Sequence, residues 1–137
     1  MRTRAPYRGG GRLPSTTVAR ARIDDVEGEA AVRAAIAGEA DRAATATAVR
    51  YLLQCLADRS EGNSVEVRVP PHGAVQCVPG PRHTRGTPPN VVEMAPEVWL
   101  DLATGARAWA DARAEGAVRA SGVRADLGPY LPIWRRR

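Results

Sequence analysis

The hydrophobic period of this chain changes at one point, and that change limits the folds open to it. Val49, Leu52, Leu53 and Leu56 recur at i, i+3, i+4 and i+7, the spacing that gathers side chains on one face of a helix. After "SEGN" (60–63), where Gly62 and Asn63 tolerate positive φ, the period drops to two. Val65, Val67 and Val69 then alternate with Glu66 and Arg68, the pattern of a half-buried strand. A one-faced helix followed by a one-faced strand requires a layer of helix on sheet.

The flanking segments extend that reading. In "IDDVE" (23–27), Asp24 stands three residues before Glu27, a capping box for a helix through Ala-rich sequence to about Ala37, with Gly38 as its stop. The second helix covers about residues 41–58, with Arg50, Gln54 and Asp58 off its apolar stripe. Pro70 and Pro71 end the first strand, "AVQCV" (74–78) reads as a second with Val75 and Cys77 on one face, and "VVEM" (91–94) as a third. Between the last two, "PGPRHTRGTPPN" (79–90) reads as a loop.

The final third is cut into short pieces. Pro96 suits the first turn of a helix, where its missing N–H costs nothing. Val98, Trp99, Leu102 and Ala103 give that helix its apolar face, and Gly105 ends it. Trp109 belongs to a further short helix that Gly116 ends, "AVRASG" (117–122) alternates as a fourth strand, and Leu127, Tyr130 and Leu131 make a closing turn. The order gives an α+β fold with a mixed, mostly antiparallel sheet.

Charge placement bears on partners. The net charge is +5 over 137 residues, and every cation is Arg. Residues 1–22 hold six of them with no acid, and the chain closes on Arg135, Arg136 and Arg137, so the segment between is net acidic. We expect a disordered basic N-terminal tail (1–22), a folded domain (23–134) and a basic C-terminal end (135–137). The acidic domain argues against a nucleic-acid module. No run approaches the ~20 apolar residues of a membrane span, no secretion signal is evident, and two cysteines make no disulfide framework, so a cytoplasmic protein is expected.

Catalytic chemistry has little material. Cys77 with His83, or with His72 as base, is the one nucleophile pairing, and an alternating strand position makes Cys77 an inert, buried thiol. Cys55, Cys77, His72 and His83 lack zinc-site spacing, and the "RGGGR" glycines follow no strand. We therefore expect no catalytic residues, metal or cofactor. Arg82, His83 and Arg85 cluster in "GPRHTRG" and suit a carboxylate or phosphate head group.

The segment "VWLDLATGARAWADARAEGAVRASGVRADLGPYLP" (98–132), with "VEVRVPPHGAVQCVPGPRHTRGTPPNVVEM" (65–94) before it, resembles the sterol carrier protein type 2 family and its bacterial branch of orthologues. The resemblance covers about residues 41–133, and the spacing of Gly105, Gly116 and Gly122 is its most informative part. It implies a sheet of about five strands covered on one face by helices, enclosing an apolar tunnel for a fatty acyl or sterol-like ligand. On that reading Val75, Cys77, Val92, Trp99, Leu102, Trp109, Val118, Tyr130 and Leu131 line the cavity. Glycine stops let short helices change direction around such a space. With no Phe and abundant Ala, the wall has few bulky groups beyond its indoles. The function implied is non-enzymatic binding or transfer of a lipid or other apolar molecule. The alternative is an accessory or dimerisation module with a collapsed cavity, partnered by a second copy or by an enzyme.

Overall fold

Asp24 caps the first helix as its spacing requires. In the computed structural model, which describes residues 21–80 and 90–135, the Asp24 carboxylate accepts from the Glu27 amide at 2.9 Å, and α1 runs Asp25–Ile36. Asp41 does the same for α2 (Arg42–Arg59), accepting from the Ala44 amide at 2.8 Å. Each cap satisfies an amide that the first turn leaves without a partner.

The sheet follows. β1 (Val65–Val69) and β2 (Gly73–Cys77) form an antiparallel hairpin with Val67 opposite Val75. β3 (Asn90–Met94) returns parallel to β1 on its other side, with Val92 opposite Val67. The chain then makes α3 (Pro96–Thr104) and α4 (Trp109–Ala114) before β4 (Val118–Ser121) pairs antiparallel with β3. A 3-10 turn at Gly128–Tyr130 leads to the end. The strand order is β2-β1-β3-β4, so the described residues form a mixed α+β sheet of four strands where about five were expected.

One face of the sheet is buried and the other is wet. Val65, Val67, Val69, Cys77 and Val92 point inward and meet the α2 stripe of Val49, Leu52, Leu53 and Leu56, all buried. On the opposite face Arg68 lies 3.3 Å from Glu66 and 3.9 Å from Glu93. Exposed pairs of this kind are worth about 1 kcal/mol at most, so the core and not the ion pairs holds the sheet to the helices. β2 ends on Val78, whose φ of 73° is rare for a β-branched residue. Its amide donates to the Ser60 carbonyl at 2.6 Å, and its own carbonyl accepts from the Ser64 hydroxyl at 2.8 Å, which together hold the strained corner.

The packing of α1 on α2 depends on an absent side chain. Tyr51 of α2 donates its hydroxyl to Asp25 at 2.8 Å, which lays its ring across α1 at Gly28. A Cβ at Gly28 would overlap that ring. Alanine is the better helix former by about 1 kcal/mol, but forcing atoms into a packed contact costs about 1–3 kcal/mol. Gly28→Ala is therefore expected to lower stability despite its higher helix propensity, measured by urea unfolding. A gain in stability would show that α1 slides on α2 at little cost.

Candidate functional site

The residues assigned to a cavity wall gather about one hydrophobic core, five buried within it and Val75, Trp109, Tyr130 and Leu131 packed against it. Cys77, Val92, Trp99, Leu102 and Val118 belong to the buried core. The Trp99 indole is wholly buried and donates its Nε1–H to the Val49 carbonyl at 3.2 Å, tying α3 to α2 through the interior. A buried indole N–H needs such a partner, so the bond fixes the ring as well as filling space. Trp109 is half-buried beside a separate cleft at α4, with the Arg113 guanidinium 5.8 Å from its ring centre. Tyr130 and Leu131 are partly buried and pack against the core from the terminal turn. Arg82, His83 and Arg85, the expected head-group cluster, lie outside the described residues.

Val75 has a different position. It is half-buried on the edge strand and lines a cleft of about 490 Å³ between α2, β2 and the segment leading into α1. Ile23, Leu53 and Val75 give this cleft its apolar lining, and Arg22, Arg50, Gln54 and His72 give its polar part. The entry segment is anchored along α2: the Gln54 side chain accepts from the Ile23 amide at 3.0 Å and donates to the Ile23 carbonyl at 2.8 Å. Arg22 is held by Asp58 at 2.7 Å. The entry-segment wall of the cleft is thus fixed to α2 by specific hydrogen bonds.

A second cleft of about 320 Å³ lies between α1 and α3, lined by Val32, Ala35, Ile36, Leu100 and Trp134 with Asp101 and Thr104 among them. The terminal segment closes its end. The amides of Ile133 and Trp134 both donate to the Ala103 carbonyl, at 2.9 and 3.0 Å, and the Arg33 guanidinium sits 5.8 Å from the Trp134 ring centre.

Sequence reasoning placed Arg50 and Gln54 on the polar face of their helix and weighed His72 as a base. It did not bring them together. The signal is "PPHG", which turns the chain so that Gly73 stands beside Arg50 and Leu53 with His72 lining the same cleft.

Nucleophilic chemistry finds no footing at the Cys77 thiol. Cys77 is wholly buried, and burial pushes its pKa up to about 11. Cys55 is half-buried and likewise raised, chiefly by desolvation. A protonated thiol without access is a poor nucleophile. Among the described residues no group of three or more His, Cys, Asp or Glu is placed to hold a metal ion, and no helix is long and apolar enough to cross a membrane.

Residues 41–133 match the family described as bacterial SCP ortholog, which covers most of the chain and the whole sheet with α2, α3 and α4. The chain belongs to this family of sterol carrier protein orthologues. No curated protein matches the chain.

The thiols also set an alkaline limit on stability. Because the folded-state pKa of Cys77 is raised above its ordinary value, the folded protein holds that proton where the unfolded chain has released it. Its contribution is full below about pH 9 and is lost as pH rises toward 11, by about 2–3 kcal/mol. Tyr51, raised first by burial and then by its bond to Asp25, adds to the same trend. Urea unfolding at stepped pH is expected to show flat stability from pH 6 to 8.5 and a fall above it, shallower in Cys77→Val. Equal slopes in the two proteins would remove Cys77 from the account.

Proposed function

We propose that the protein binds an apolar or amphipathic small molecule, fatty acyl or sterol-like, and hands it on without chemical change. Membership of the sterol carrier orthologues supports this class of ligand. The observation that carries the reading is the α2–β2 cleft, whose lining joins Ile23, Leu53 and Val75 to a polar rim between a helix and the edge of the sheet. Of the residues expected from the sequence, Val75 is the proposed contact. A ligand between α3 and the sheet would instead have to displace Trp99 from Val49.

Magnitudes favour a loose, exchangeable complex. Burying methylenes yields about 0.8 kcal/mol each, so a twelve-carbon chain gains roughly 10 kcal/mol gross. Association costs of about 4–15 kcal/mol leave at most about 6 kcal/mol of that, an affinity no tighter than roughly tens of micromolar. Carriage needs nothing tighter and no catalytic group. The proposed setting is the cytoplasm, in keeping with two free thiols.

A second reading follows from the solid packing around Trp99: a module of the same fold that carries no ligand and acts as a homodimer or as an enzyme's accessory. Native mass spectrometry separates the two. A monomer that takes up one methyl dodecanoate, and loses it in Val75→Glu with the melting temperature within about 5 °C of the parent, is the expected result. A ligand-free dimer that ignores the ester would favour the module.

A further inference from the structure

The α2–β2 cleft is unusual in its charge. Its lining contains Arg22, Arg50 and His72 and no carboxylate. Four other clefts of this domain each include an acid: Asp101, Glu29, Asp126 and Glu93 respectively. The contrast runs against the composition, because all fifteen Asp and Glu side chains fall within the described residues, which carry fewer Arg than acids.

The two arginines of the cleft differ. Arg22 is taken up by Asp58 at 2.7 Å. Arg50 makes no ion pair among the described residues, and the segments outside them contain no Asp or Glu. Its stem is nevertheless placed. The Cγ and Cδ atoms of Arg50 lie over Gly73, 3.6 and 3.9 Å from where a Cβ would stand, with Leu53 Cδ1 at 3.6 Å beside them. A methylene stem packed on the edge strand leaves the guanidinium at the rim with part of its rotamer freedom already removed.

We propose that Arg50, with His72 in the lining of the same cleft, forms a head-group site that selects an alkyl chain ending in a carboxylate over the same chain ending in a neutral group. The assignment rests on the cleft being the apolar-ligand site proposed above. The guanidinium offers a planar pair of N–H donors that matches a carboxylate, and an imidazole N–H supplies a further donor. Ile23, Leu53 and Val75 receive the first methylenes, so head and tail are recognised by adjoining parts of one cleft. Desolvating a carboxylate there without a partner would be unfavourable, and a cation with no carboxylate of its own removes that obstacle.

The test compares dodecanoate, methyl dodecanoate and acetate by isothermal titration at pH 8 on the full chain and on Arg50→Gln. Dodecanoate is expected to bind the parent about tenfold more tightly than the ester, the scale of one charge-assisted hydrogen bond, with acetate showing no binding. In Arg50→Gln the dodecanoate affinity is expected to fall about tenfold, toward that of the ester, with a clearly smaller loss for the ester. Because both probes are read on the same variant, a general loss of fold cannot imitate this pattern. Equal affinity of the parent for dodecanoate and ester, or equal losses of both in the variant, overturns the head-group site and leaves apolar binding standing. Absence of binding by either long-chain probe overturns both readings.

Discussion

The contact between the α2 stripe and the valine face of the sheet is the constraint on which everything else in this domain depends. Val49, Leu52, Leu53 and Leu56 lie against Val65, Val67, Val69, Cys77 and Val92. Each fully buried aliphatic side chain is worth about 1.5–3 kcal/mol, whereas each exposed ion pair on the far face is worth about 1 kcal/mol at most. Burial therefore fixes the distance between helix layer and sheet, and the hydrogen bond from Trp99 to Val49 extends the same layer to α3. The remaining elements are arranged around a body already determined.

That packing has a functional consequence. A chain with no Phe builds its interior from Val, Leu and Ala, and these fill the space closely around a single buried indole. Room for a guest then arises at the margins of the helix layer, where it stops short of the sheet edge or of its own neighbours. The α2–β2 cleft is one such margin and the α1–α3 cleft is another. Only the first combines apolar lining with cations and no carboxylate, the combination on which the proposed amphiphile site rests.

The positions of the elements were legible because they rest on local physics. Asp24 and Asp41 cap helices through amides three residues on, Gly105 adopts φ 87° where α3 ends, and the alternation of Val65 to Val69 sets which side of β1 is buried. Of the residues expected to line a cavity, Val75 is the one that lines the proposed cleft. Cys77, Val92 and Leu102 carry the same apolar signal as a cavity wall, because an oily lining and a solid core have identical composition and period. Whether space remains between them is decided by volumes summed over several elements, which no single stretch encodes.

The sequence alone determined the element order, most helix ends and the faces of β1 and β2 that meet the helices, since caps, glycine stops and hydrophobic period act over a few residues. Tertiary structure decided that Trp99 fills the interior, and that Arg50 on α2 meets Gly73 of the hairpin in a cleft that His72 also lines. These are contacts between side chains far apart in the chain, and they exist only once the helix layer has settled on the sheet.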